Sequence, residues 1–410
     1  MRLIFNDQTF SFELLRTLSY APYGGADIGE CLLTAYRIAE GDFESWYHEW
    51  AITAQRTQAL ADEALATDQL VSAREAYLRA SNYYRAAEFF LHGNVKDSRL
   101  LTTWRLSRDS FQSAAALMDI TVEPVNIPYE DISLPGYFYR QDDSTKPRPT
   151  LIIHGGYDST GEELYFNAVA ALQHGYNCFT FEGPGQGSMI REKGVPFRND
   201  WETVITPVVD FLLTRPEVDP NRIVLMGISF GGHLAPRAAA FEHRLAACIA
   251  DDGIFSFQFG KMGNKVIKKS DIHDGSSLGE IGKDSSGFTK IIESIMQHDT
   301  GIHWAIDNGL FTFKAADLRD LLKKTESYTL EGVADLITCP TLVCEAAADY
   351  SFTGEAEKLY KELKCPKTYI KFTSEEGAEE HCQFGALTLF NQRMFTWLDK
   401  TLLISHSTLA

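Results

Sequence analysis

The run Asn221 to Gly232, N-R-I-V-L-M-G-I-S-F-G-G, sets a serine between two glycines in the pattern G-x-S-x-G. Ile223 to Met226 are four apolar residues in a row, the composition of a buried strand, and His233 to Arg244 is compatible with a helix. Strand, sharp turn and helix is the context that turns such a serine into a nucleophile, because the turn lifts its hydroxyl above the sheet edge. Gly227 and Gly231 have a steric role, since side chains two residues either side of a strained serine would strike the neighbouring strand and helix. Pro236 is a mild departure that removes one early helix hydrogen bond.

A serine hydroxyl is a poor nucleophile at neutral pH and needs a base in reach and an acid to orient that base. After a nucleophile of this type the acid comes next along the chain and the histidine last. Of the histidines at 233, 243, 273, 298, 303, 381 and 406, only His381 follows the last expected strand and precedes the last expected helix. The acid belongs after the strand Thr341 to Cys344. Asp349 lies in the loop that follows, whereas its rival Glu345 sits at the strand end, too early for the turn. Ser229, Asp349 and His381 are therefore the expected catalytic residues.

The oxyanion that forms on attack needs hydrogen-bond donors. The amide of Phe230, next to the nucleophile, supplies one. The other is expected from Gly156 or Tyr157 in His154-Gly155-Gly156-Tyr157, and the sequence does not separate these two. Trp46, Tyr84, Glu182, Asp252, Trp304 and Tyr350 are expected to contact substrate. The run Gly183 to Gly187, G-P-G-Q-G, lacks the Lys and Ser/Thr of a phosphate loop and reads as a tight turn at the sheet's carboxyl edge. Glu379-Glu380-His381-Cys382 is too local to wrap an ion, so neither metal nor cofactor is expected.

These residues need a scaffold. Residues 1–118 are rich in Ala, Glu, Arg and Leu and read as helical, with Asp42 as a helix cap. Aromatics gather there (Trp46, Tyr47, Trp50, Tyr77, Tyr83, Tyr84, Phe89, Phe90), most of them as core and one or two as pocket wall. Residues 120–142 alternate apolar and polar, as edge strands do. Strands are then expected at 150–154, 177–182, 222–227, 246–251, 341–345 and 368–373. Helices are expected at 161–174, 200–214, 231–243, 354–364 and 384–402. This alternation implies a mostly parallel sheet covered by helices on both faces, an α/β-hydrolase fold. The domain reading is a helical domain at 1–118, a core at 119–253 and 339–410, and a lid insertion at 254–338 after the sixth strand. Within the insertion Lys261 to Ser286, rich in Gly, Ser, Lys and Asp, reads as flexible, and runs near 291–296 and 315–322 as helix.

At 410 residues the chain suits one large domain plus an addition. A net charge of −18 argues against a nucleic-acid partner. No apolar run approaches the ~20 residues of a membrane helix, and Asp7 and Glu13 interrupt what a signal peptide would keep apolar. Seven cysteines without C-x-x-C spacing read as reduced thiols of a cytoplasmic protein.

The segments H-G-G-Y-D (154–158), F-E-G-P-G-Q-G (181–187), G-I-S-F-G-G (227–232), D-Y-S-F (349–352) and E-H-C-Q-F-G-A (380–386) follow G-D-F-E-S-W (41–46) and Y-L-R-A-S-N-Y-Y-R (77–85). Together they resemble the 2,6-dihydroxypseudooxynicotine hydrolase-like α/β-hydrolases, a group that also holds fungal polyketide-shortening hydrolases and fermentation–respiration-switch-like proteins. The resemblance covers nearly the whole chain. It implies hydrolysis of an acyl–carbon or acyl–oxygen bond in an aromatic or polyketide-like molecule, a triad at Ser229, Asp349 and His381, and a homodimer whose helical segment closes the pocket. Two other readings use the same residues. One is an ester, lactone or thioester hydrolase or an acyltransferase, since fold and triad do not fix substrate. The other is a non-catalytic ligand-binding protein on this scaffold, which the presence of all three residues argues against.

Overall fold

The computed structural model describes residues 1–259, 292, 294–349 and 351–404. Aspartates open most of the leading helices by accepting a first-turn amide. Asp7 caps α1 (Gln8–Ser19), Asp27 caps α2 (Ile28–Ala35), Asp42 caps α3 (Phe43–Ala66) and Asp97 caps α5 (Ser98–Ala115). Between the last two lies α4 (Leu70–Glu88). Phe10, Trp46, Trp50, Tyr83, Tyr84, Phe89 and Phe90 form one buried cluster within this segment. The expectation that most of its aromatics are core is met.

The hairpin β1 (Thr121–Tyr129) and β2 (Ile132–Arg140) follows, at the sheet edge where its alternation placed it. The chain then winds through β3 (Arg148–His154), α6 (Tyr165–Gln173), β4 (Asn177–Phe181), α7 (Gly187–Arg191), α8 (Glu202–Leu213), β5 (Val218–Ile228), α9 (Gly231–Ala239) and β6 (Ala247–Asp251). After the insertion, which contributes α10 (Thr300–Thr312) and α11 (Leu318–Thr325), it completes β7 (Thr341–Ala346), α12 (Glu355–Glu362), β8 (Lys367–Phe372) and α13 (Leu387–Thr401). Among the described residues the sheet runs β1-β2-β4-β3-β5-β6-β7-β8. Pairs beyond β2 and β4 are parallel. This is the α/β-hydrolase sheet that the sequence implied.

Side-chain alternation splits the core into two layers. Ile152, Ile223, Leu225 and Val343 face one cluster with α8, α9 and α12, while Leu151, Ile153, Val224, Met226 and Leu342 face another with α6 and α13. Tyr77 and Leu78 of α4 and Phe111 of α5 join this second layer, so the helical segment packs on the same apolar surface as the sheet.

All five expected core helices are shorter than expected, and in α6 and α9 the local bonding shows why. α6 starts at Tyr165 because the amides of Thr160 and Gly161 are taken by the Glu163 and Glu182 carboxylates in an irregular turn. α9 stops at Ala239, where buried Glu242 draws Arg244 back across the chain. The short helix α7, absent from the sequence reading, continues the glycine-rich turn. The expected flexible stretch Lys261 to Ser286 lies outside the described residues. Among the described residues no helix is long and apolar enough to cross a membrane.

Candidate active site

β5 ends at Ile228 and the next residue, Ser229, adopts φ 61°, a left-handed conformation that side chains other than glycine rarely take. The glycines make it feasible. A Cβ on Gly227 would lie 1.9 Å from the Gly231 carbonyl oxygen, and one on Gly232 would lie 1.8 Å from that of Asp252. The Ser229 amide donates to the Asp251 carbonyl at 2.5 Å, tying the turn to the end of β6.

Ser229 Oγ lies 2.7 Å from His381 Nε2, and His381 Nδ1 lies 2.5 Å from Asp349 Oδ2. The structure thus brings together the three residues that sequence order selected, 152 and 32 positions apart. Asp349 is fixed by accepting the amides of Ser351 and Phe352 at 3.0 and 3.3 Å. Glu345 instead takes Lys371 Nζ at 2.9 Å and the Tyr369 hydroxyl. His233 is fully buried, with Nδ1 3.2 Å from the Ile254 carbonyl, and burial lowers its pKa to about 4.

Burial disfavours a charged His381, yet its neighbours Cys382, Asp349 and Asp252 hold its pKa well above the ordinary 6.5. Burial also pushes the Cys382 thiol up to about 12, so at neutral pH it is uncharged and the carboxylates carry the effect. A base must be neutral to accept a proton, so the acid limb of a pH–rate profile shifts upward. We expect kcat/KM for ester hydrolysis to keep rising above pH 6.5; a limb at or below 6.5 would contradict this. The stability linkage has the opposite direction. A raised folded pKa stabilises fully below pH 6.5, and that contribution fades as pH climbs through the folded value.

The loop after β3 sits beside Ser229. A Cβ on Gly156 would be 2.6 Å from the Phe230 amide nitrogen and 2.9 Å from the Ser229 Cβ, so only glycine permits this approach. Three elements hold the loop. Gln186 Nε2 donates to the Gly155 carbonyl at 2.7 Å, and Asn308 Nδ2 of α10 donates to the Tyr157 carbonyl at 3.0 Å. The third anchor is ionic. Arg16 of α1 reaches Asp158 at 2.8 Å and Glu163 at 2.7 Å, and Arg85 of α4 also pairs with Asp158.

Ser229 and His381 open into a cavity of about 210 Å³, walled by Phe12 and Arg16 of α1, Tyr157, Phe257, Phe259 and Trp304. Trp304 is the one expected substrate contact among the described residues whose side chain lines it. Trp46 lies in the helical core with Nε1 donating to the Ala86 carbonyl, and Tyr84 is buried there with its hydroxyl on Gln58. Glu182 is turned away, accepting from the Gly161 amide and the Ser188 amide and hydroxyl. Asp252 touches His381 rather than the cavity. Tyr350 lies outside the described residues. The sequence reading missed the α1 wall, whose amphipathic pattern alone does not say what it faces.

Comparison with known proteins follows the same lines. Residues 34–262, more than half the chain, match the family described as FrsA-like esterases. Over their full lengths the chain is 37% identical to the 20-hydroxy-prefusarin hydrolase FUS2 of Gibberella moniliformis. The chain belongs to the FrsA-like family. It is also 35% identical to the hydrolase acrC of Aspergillus aculeatus, with 98% of each chain covered. The crystal structure of 2,6-dihydroxy-pseudo-oxynicotine hydrolase superposes with TM-score 0.73 at 21% identity, covering 94% of this chain and 95% of that one. The resemblance drawn from the motifs therefore holds, and this FrsA-like chain is a hydrolase of the α/β fold.

Proposed function

We propose that the protein hydrolyses an acyl–carbon bond of the 1,3-diketone type, or an ester, in an aromatic or polyketide-like small molecule through an acyl-enzyme on Ser229. The observation that carries this reading is the Ser229–His381–Asp349 relay, at 2.7 and 2.5 Å, on the floor of an aromatic-walled cavity. His381 Nε2 takes the Ser229 proton as Oγ attacks the carbonyl carbon. The Phe230 amide, with that of Gly156 or Tyr157, receives the oxyanion. Collapse expels the leaving group, which the His381 imidazolium protonates. A carbon can leave because the second carbonyl of a 1,3-diketone delocalises its charge as an enolate. Water, deprotonated by His381, then releases the acid. The relative from Gibberella moniliformis is named for 20-hydroxy-prefusarin, which supports a hydroxylated substrate here.

The reading extends to a cytoplasmic homodimer. Seven free cysteines fit a reducing compartment, and Ile28, Tyr36 and Val71 expose apolar surface on the helical segment that a second copy would cover. The test of the covalent step is labelling. A fluorophosphonate probe should add one adduct per chain, mapped to Ser229, and block release of carboxylic acid from an aryl 1,3-diketone and an aryl ester. Acid release that persists in fully labelled protein would sink the proposal.

A further inference from the structure

His381 Nδ1 has two carboxylates within reach. Asp349 Oδ2 lies at 2.5 Å and Asp252 Oδ2 at 3.2 Å. They arrive from different strands, Asp349 from the loop after β7 and Asp252 from the end of β6, beside the nucleophile strand. Asp252 is 2% exposed, and among the described residues its side-chain bonds all reach the histidine's loop. Its Oδ2 accepts the Cys382 amide at 3.0 Å and its Oδ1 accepts Gln383 Nε2 at 2.9 Å. These bonds brace a stretch in which Cys382 and Gln383 both hold φ 51°, backbone that would not keep this shape unsupported.

We propose that Asp252 is a positioning residue for His381: it braces the histidine loop and serves as a second acceptor for Nδ1–H, able to keep the imidazole in its working tautomer when Asp349 is lost. This rests on the reading of Ser229 and His381 as nucleophile and base. The groups facing the imidazole support it. Asp349, Asp251, Asp252 and Cys382 are the titratable neighbours, while α1 and the loop after β7 present the rings of Phe12 and Phe352. The ligand atoms of Asp252, His381 and Cys382 lie within 4.8 Å of one another, and the Asp252 carboxylate, on the Cys382 amide and beside His381 Nδ1, ties this group into a hydrogen-bonded brace.

The chemistry gives a quantitative separation. Where a triad has a single acid, Asp→Asn costs about 10⁴-fold in kcat, because the amide forces the wrong tautomer. With Asp252 in place, Asp349→Asn should lose only about 10²-fold and stay well above His381→Ala, a comparison that leaves Asp252 untouched. Asp252→Asn should move the acid limb of kcat/KM to lower pH, since one of two carboxylates stabilising the imidazolium is gone. The double variant should fall to the level of His381→Ala. The probe is an aryl ester, read as full pH profiles. If Asp349→Asn is already as inactive as His381→Ala, or Asp252→Asn leaves the limb where it was, the second-acceptor role is wrong. Ser229→Ala run in parallel keeps the two ideas apart, because activity surviving there would fault the serine route and not Asp252.

Discussion

Ser229→Ala is expected to lower kcat by about 10⁶-fold while the melting temperature stays close to that of the unaltered protein. The loss follows from the role. Without Oγ no acyl-enzyme forms, and what survives is the roughly 10³–10⁴-fold rate over water that the oxyanion donors and binding alone provide. The fold should barely notice. Alanine keeps the Cβ, so the backbone at φ 61° is no more strained than with serine. One hydrogen bond to His381 disappears, but the imidazole stays tied to Asp349 and Asp252. The measurement is single-turnover hydrolysis of an aryl ester with thermal unfolding in parallel. Activity within about 100-fold of the parent would mean that water attacks directly and that the proposed route is incorrect.

The chemistry at this site was legible because its residue types are constrained. A hydroxyl needs a base, and few histidines lie at the carboxyl edge of a sheet, so Ser229 and His381 could be placed from strand order alone. Asp349 followed from the same order. The binding surface was not legible, and Trp46 and Tyr84 show why. A cluster of aromatics in helices reveals that something is buried, not which helix face meets which neighbour. Those two face the bundle, whereas the cavity wall falls to Phe12 and Arg16 of a helix that looked ordinary in sequence. Asp252 was noticed as an acid but given the wrong partner. Its place at the end of the strand beside the nucleophile strand was the available signal. The ionic anchor was invisible for a different reason: Arg16 meets Asp158 and Glu163 across 142 and 147 residues, and no local pattern encodes such a pairing.

That anchor gives the second large expectation. Arg85→Met should destabilise the protein by about 3–5 kcal/mol and reduce activity as well. Arg85 is buried and shares its charge among Asp158, Glu163 and Glu88, with Arg16 and Arg191 the other cations of the cluster. Burial alone would raise Glu88, but Arg191, His92 and Arg85 reverse this and hold it at about 2. Methionine fills similar space but leaves Asp158 and Glu163 with Arg16 as their one ion-pair partner among the described residues, so buried carboxylate charge goes uncompensated. Asp158 directly follows the loop beside Ser229, so the same change should loosen the oxyanion donors. Arg99 is the control. Its pairs with Glu44 and Asp97 are more exposed, and Arg99→Met should cost under about 1 kcal/mol with activity intact. Urea unfolding and ester kinetics on the two variants decide the matter. If Arg85→Met unfolds at the same midpoint as Arg99→Met, the buried cluster is not what couples the N-terminal helices to the active-site loop.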